Sequence, residues 1–194
     1  MKGIIFSKPM FRATIEGRNT QTRRIVKPQP VAFQGMYQEV PCKYNGKEWG
    51  TGLSPIKPRY KIGEKVYLKE PYNDEACDHR ILYKYANDAQ DAITSFWKNP
   101  LTMPSEYARY FIEITEVRCE RVQDISDGDC EKEGVVAVLD NNVDWIIGWR
   151  SSQSDGIIYE SRKSSYASLF DKINGKGSWN SNPYVWVYSY KPVK

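Results

Sequence analysis

The order of apolar and polar positions along the chain predicts short strands and a few short helices. A buried strand is expected at 4–6, and strands with alternating faces are expected at 65–70, 110–122 and 184–190. Apolar residues spaced three and four positions apart predict an amphipathic helix around 166–173. The pattern therefore favours a sheet-rich fold with few helices.

Local signals define where several of these elements begin and end. Ser7 and Ser126 are of the residue type that caps a helix N-terminus, and Gly17 and Gly134 suit the position that ends a helix. In the long strand the apolar face changes parity, which predicts a β-bulge near Thr115-Glu116. A further strand is expected from 80 to 86.

The segment from Thr20 to Val26 is expected to be extended, so its side chains alternate between two faces. Thr22 and Arg24 then share one face, and Arg23 lies on the other. Further along, Glu70 continues the apolar face of the strand that precedes it. A carboxylate at the edge of a core needs a partner, so an interaction is expected there.

Several strands, short helices and a closing C-terminal strand predict an α+β fold. The expected form is a small mixed β-barrel with short helices packed at its ends. With 194 residues and no internal boundary, the chain is expected to form one domain over 1–194. Long loop insertions are expected near 31–60, 87–104 and 140–163, and Asn45-Gly46 predicts a hairpin in the first.

The composition argues against a membrane or secreted protein. No stretch approaches the ~20 apolar residues that span a bilayer, and the N-terminus lacks the apolar run of a secretion signal. A cytoplasmic protein with four reduced cysteines is expected. The nearest approach to a metal cluster is Cys77-Asp78-His79, which has no partner cluster. No metal and no cofactor are expected.

Charge is distributed unevenly along the chain. Residues 1–70 hold 14 Lys and Arg against 5 Asp and Glu, whereas residues 71–194 hold 14 against 19. A basic first third predicts an anionic partner, such as RNA or a nucleotide. The alternative is that the basic and acidic regions meet in the fold and neutralise each other.

A set of motifs in a fixed order resembles a known family. Residues 17–24, Gly-Arg-Asn-Thr-Gln-Thr-Arg-Arg, are similar to the signature Gly-x-Lys-x-x-Thr-x-Arg of the ASCH family in the PUA-like superfamily. The flanking residues 6–10 and 25–30 resemble the phage and prophage branch of that family. Similar segments follow at 63–70, 117–126, 133–134 and 179–187.

The resemblance implies a PUA-like barrel with a cleft beside the signature. PUA relatives bind RNA, and one bacterial ASCH branch removes the acetyl group from cytidine acetylated on its exocyclic nitrogen, using a lysine, a threonine and a glutamate. By position, the threonine is Thr22, the arginine is Arg24 and the glutamate is Glu133. Asn19 stands at the lysine position, and an amide cannot act as a base or take up a proton.

The candidate ligand-binding residues join the signature to later charged and aromatic positions. Arginine suits phosphate or carboxylate, carboxylates accept hydrogen bonds from a base amino group, and tryptophan stacks on a base. In an enzyme, Thr22 and Glu133 would be the catalytic residues. The ligand-binding set is Arg18, Asn19, Thr22, Arg23, Arg24, Glu70, Arg109 and Trp179.

These candidates also have structural interpretations that the sequence leaves open. Arg24 would form an ion pair with Glu70 or Glu133. Arg23 would be an ordinary solvated residue, and Glu133 would face water. Trp179 would be a packing aromatic.

Three functions are consistent with these features. The first is a module that binds a nucleic acid, with RNA favoured, or a nucleotide through a basic cleft beside the signature. The alternative is a hydrolase that acts on a modified nucleoside, like an acetylcytidine amidohydrolase, or on RNA. The third is a phage protein-interaction factor with a protein partner. The oligomeric state is not determined by the sequence.

Overall fold

The structure is a computed structural model, and it describes residues 1–29, 57–75, 80–86, 96–140, 146–151 and 156–193. Three predictions lie outside these residues: the Asn45-Gly46 hairpin, the state of Cys42 and Cys77, and the Cys77-Asp78-His79 cluster. Cys119 and Cys130 are buried and form no disulfide bond with a described residue.

The described residues form an α+β fold that is dominated by strands. In chain order the elements are β1 (Gly3–Ile5), α1 (Lys8–Ile15), β2 (Gln21–Ile25), β3 (Lys65–Lys69), β4 (Tyr72–Asn73), β5 (Leu82–Tyr83), β6 (Phe111–Arg121), α2 (Asp127–Lys132), β7 (Val135–Leu139), β8 (Ile146–Ser151), α3 (Arg162–Asn174) and β9 (Tyr184–Val193).

The main sheet has five strands in the order β1-β3-β6-β9-β2. β1 pairs with β3 in parallel, and the other neighbours are antiparallel. Two further sheets have two strands each, β4 with β5 and β7 with β8. None of the described helices is both long enough and apolar enough to cross a membrane.

Two apolar cores lie against the main sheet. Phe11 of α1 and Ile112 of β6 belong to the first, and Phe170 of α3 belongs to the second. β9 contributes to both, because Tyr188 lies in the first core and Val187 in the second. This alternation is the period-two pattern of a strand that lies between two apolar layers.

The predicted β-bulge is present in β6. The register against β9 shifts between Ile114 and Glu116. Before the bulge, Ile112 and Ile114 face the first core, and after it Val117 and Cys119 face the same core. The extra residue of the bulge therefore allows even-numbered residues before it and odd-numbered residues after it to lie on the same face of the strand.

The predicted limits of α2 are confirmed. Ser126 Oγ accepts a hydrogen bond of 3.2 Å from the amide of Asp129, and Glu133 is the C-cap. Gly134 follows with a φ of 92°. The Asn19 side chain occupies the place where a Cβ of residue 134 would lie. Glycine is thus required there for its conformation and for the space it leaves.

Two predicted segments differ in the structure. The insertion expected at 140–163 contains β8, which pairs with β7, and both strands contact α3. The apolar pattern does not predict the strand Val135–Leu139, because five successive apolar residues show no alternation between faces. The strand expected at 80–86 is reduced to the two residues of β5.

The main sheet is open in the described part of the chain. β1 and β2 are its edge strands, and no backbone ladder joins them there. The mixed α+β class is confirmed, while the closed PUA-like barrel stays a prediction.

Gly134→Ala should destabilise the protein. The left-handed backbone costs an alanine roughly 1–2 kcal/mol, and displacing the buried Asn19 side chain adds to this. Urea unfolding measures the loss. Gly17→Ala is the matched control, because Gly17 also has a positive φ, 75°. Apart from its two chain neighbours, no described residue has an atom within 4 Å of the position that an alanine Cβ would take. Equal losses for the two variants would contradict the role assigned to Asn19.

Candidate functional site

A cavity of about 130 Å³ lies where the two edge strands approach α1 and α3. β2 supplies the signature residues, and the turn between β1 and α1 supplies the opposite side. Glu133, at the end of α2, reaches the same cavity. The residues that matter most for its chemistry are Phe6, Ser7, Thr22, Arg24, Glu133 and Phe170.

Arg24 places its guanidinium in this cavity. Its Nη2 donates a hydrogen bond of 2.9 Å to the carbonyl oxygen of Ile5. The guanidinium carbon lies 5.6 Å from the centre of the Phe6 ring, a cation–π contact. Among the described residues, no carboxylate forms an ion pair with Arg24. The ion pair with Glu70 or Glu133 that the sequence left open is therefore not formed.

Ser7 occupies the N-cap position of α1 but does not cap it through its side chain. Its Oγ is buried and has no hydrogen-bond partner among the described residues. The predicted side-chain cap at Ser7 is wrong, because its hydroxyl makes no hydrogen bond to the helix amides, although Ser7 lines the cavity. A buried hydroxyl without a partner is costly to the folded state.

Much of the remaining wall of the cavity is apolar, with Tyr166 and Asn174 as polar members. Leu169, Phe170 and Ile173 of α3 face Met10 of α1 across it. An engineered cavity of about 150 Å³ holds one benzene ring. The present cavity, at about 130 Å³, accommodates one ring or one anionic group, and the rest of a larger ligand stays outside.

Arg23, which stands between the signature residues Thr22 and Arg24, also lines the cavity, but its side chain is buried in an acidic cluster. Its side chain has 0% exposure and reaches three carboxylates: Glu133 at 2.9 Å, Glu120 at 2.7 Å and Asp129 at 3.1 Å. Gln21 Oε1 accepts a further hydrogen bond of 2.7 Å from Arg23 Nη1. The interpretations of Arg23 as a solvated residue and of Glu133 as facing water are both wrong.

The ionisable groups of this cluster differ in the direction in which their pKa values are shifted. Burial works against the charge on Arg23, but Glu133 and the other carboxylates outweigh it and raise the Arg23 pKa. Burial raises the pKa of Glu133, and Arg23 offsets this only in part. Burial also acts to raise the pKa of Asp129, but Arg118, Arg23 and Lys132 together outweigh it, so the Asp129 pKa is lowered. Of these two carboxyls, Glu133 therefore takes up a proton first as the pH falls.

Asn19, at the signature lysine position, is fully buried behind the cavity. Its Nδ2 donates a long hydrogen bond of 3.4 Å to the carbonyl oxygen of Glu133, and its Oδ1 has no partner among the described residues. Asn19 does not line the cavity. Since its side chain also packs against Gly134, the longer side chain of a lysine has no room there.

Glu70 and Arg109 lie elsewhere and bind each other. Arg109 Nη2 donates to both carboxylate oxygens of Glu70, at 2.8 and 2.9 Å. The guanidinium stacks over Tyr83 at 4.1 Å. Burial raises the Glu70 pKa despite this pair. The expectation that Glu70 needs a partner is confirmed, but neither residue joins the cavity.

The two remaining candidates also lie outside the cavity. Arg18 is an exposed residue that forms an ion pair with Glu16. Trp179 packs edge-on against Tyr166 and Phe170, with ring centres 6.1 and 6.5 Å apart. The structural interpretation of Trp179 as a packing aromatic matches these contacts.

The structure thus brings together the candidates Thr22, Arg23, Arg24 and Glu133 with residues that the sequence did not assign to the site. From the sequence, Ser7 is a candidate helix cap and Phe6 is the end of a strand. Their position in the motif that flanks the signature is the one signal that could have placed them in the site. Among the described residues, no group of His, Cys, Asp or Glu is arranged to hold a metal ion.

Comparison with protein-family models, curated proteins and solved structures finds no match for this chain. The resemblance to the ASCH family therefore rests on the ordered motifs.

Arg23→Met should destabilise the protein by about 3–5 kcal/mol, because it leaves the buried Glu133 without its cation. Chemical unfolding at neutral pH measures the difference. The control is Arg18→Met, which breaks an exposed ion pair and should cost less than about 1 kcal/mol. If the two variants unfold alike, the buried cluster does not organise the fold.

Proposed function

We propose that this protein is a binding module for RNA or a nucleotide, and that the cavity beside Thr22 and Arg24 is its recognition site. The observation that carries the proposal is the position of Arg24. It is a cation in a small cavity, beside Thr22 and Glu133, with no carboxylate partner among the described residues. A fixed guanidinium of this kind binds phosphate or carboxylate.

Two further features support this proposal. The motifs that resemble the ASCH family supply Thr22, Arg24 and Glu133 from distant parts of the chain, and all three line one cavity. The hydrogen bond from Arg24 to Ile5 links the two edge strands of the open sheet, which supports a barrel-like curvature. Membership of the ASCH family and the PUA-like barrel are part of the proposal.

The uneven charge of the chain is consistent with this function. Much of the positive charge lies in residues 1–70, which include α1 and β2 beside the cavity. The alternative was that acidic residues neutralise the basic ones in the folded protein. This is the case for Arg23, which pairs with Glu120, Asp129 and Glu133. Within the described part of the chain, Arg24 has no such ion pair. A basic segment that contains such a cation favours an anionic ligand.

Arg24→Ala should weaken the binding of short single-stranded RNA, or of nucleotides, by about 1–3 kcal/mol, the value of one good charged contact. Fluorescence anisotropy at low salt measures this for RNA, and thermal shift measures it for nucleotides. Arg150→Ala is the matched control, because it removes the same charge from an exposed position on β8.

Equal weakening by the two substitutions would mean that only net charge matters, and the cavity would lose its assigned role. Absence of any binding to the unmodified protein at low salt would reject the function itself.

A hydrolase acting on a modified nucleoside is the second candidate. It is favoured by one observation: Thr22 and Glu133 line the same cavity, and burial raises the Glu133 pKa toward that of a usable acid or base. Product analysis with acetylated cytidine and with RNA tests it. Turnover that is lost in Thr22→Val would establish this alternative, and its absence would leave the binding module. The protein-interaction role stays a prediction.

A further inference from the structure

We propose that the group entering the cavity is the terminal phosphate of the bound RNA or nucleotide, held by the Ser7 hydroxyl, the N-terminus of α1 and Arg24. This inference rests on the proposed function and specifies which part of the ligand the site recognises.

The first argument concerns the hydrogen-bond donors. Ser7 Oγ is buried without a partner among the described residues, and Ser7 lines the cavity. The first backbone bond of α1 runs from the amide of Phe11 to the carbonyl oxygen of Ser7, 2.8 Å away. The amide of Met10 therefore precedes the intrahelical bonds, and Met10 also lines the cavity. An uncapped helix N-terminus with a buried hydroxyl beside it is suited to an anion.

The second argument concerns charge. Arg24 contributes a positive charge that no described carboxylate neutralises by an ion pair. Glu133 also lines the cavity, but it is paired with Arg23 at 2.9 Å. Burial in addition favours its neutral form. The side of the cavity formed by Ser7 and Arg24 is therefore left positive, which matches the charge of a phosphate monoester.

The third argument concerns size and shape. A cavity of about 130 Å³ is too small for a whole nucleotide. An internal phosphodiester is attached to the chain on two sides, whereas a terminal phosphate needs a single exit. The apolar side chains of Phe170 and Ile173 form the other wall, where the carbon atoms next to the phosphate would pack.

The test compares ligands that differ only in the terminal phosphate. Five probes are used: inorganic phosphate, uridine 5′-monophosphate, and one short RNA in three forms, with no terminal phosphate, with a 5′-phosphate and with a 3′-phosphate. Thermal shift follows the first two, and anisotropy follows the RNAs. Ser7→Ala is compared with Ser165→Ala, a control in α3 that also removes a buried hydroxyl without a described partner but lies outside the cavity.

The expected result is that a terminal phosphate at one end strengthens RNA binding by about ten-fold, and that Ser7→Ala removes most of this gain, as expected for a hydrogen bond to a charged group. Ser165→Ala should keep the gain. Without ligand, neither variant should lower the melting temperature, because each removes a hydroxyl that has no partner among the described residues. A response to uridine 5′-monophosphate without a response to RNA identifies a free nucleotide as the source of the phosphate.

Two outcomes separate the inference from the function on which it rests. If RNA binds equally well with and without a terminal phosphate, and Ser7→Ala has no effect, the function stands and the phosphate site is rejected. If inorganic phosphate stabilises the protein through Ser7 but neither RNA nor nucleotide binds, the anion site stands and the nucleic-acid function falls.

Discussion

Arg23 carries a positive charge into the interior at the junction of β2, β6 and α2. Its guanidinium reaches Glu120 on β6, Asp129 on α2 and Glu133 at the end of that helix. A charge this deeply buried is tolerated only when its partners surround it, so these elements must take fixed positions relative to one another. The placement of α2 then sets Gly134 against Asn19 and brings Glu133 to the cavity.

The role of Arg24 follows from that of its neighbour. Successive side chains of a strand point to opposite faces, so anchoring Arg23 in the acidic cluster directs Arg24 to the other side of β2. There it meets Phe6 and the carbonyl oxygen of Ile5 rather than a described carboxylate. The two adjacent arginines thus differ in their partners: Arg23 is paired with three carboxylates, whereas Arg24 forms no ion pair with a described residue.

Features that depend on a few neighbouring residues could be predicted well. The bulge in β6, the cap at Ser126 and the glycine after Glu133 follow from local apolar parity, a short hydroxyl side chain and a positive φ. Features that depend on distant partners could not. Ser7 has the right identity for a cap, but its hydroxyl makes no hydrogen bond to the helix amides. The apolar run of β7 gave no sign of pairing with β8.

The sequence by itself determined the mixed α+β class, the alternation of β2 and the motif that marks Thr22, Arg24 and Glu133. The tertiary structure decided which arginine is paired, because an ion pair depends on distance between segments about a hundred residues apart. It also decided that Asn19 is buried behind the cavity and that Glu70 binds Arg109 away from it. Periodicity fixes the face on which a side chain lies, but only the packing of several elements decides what that face meets.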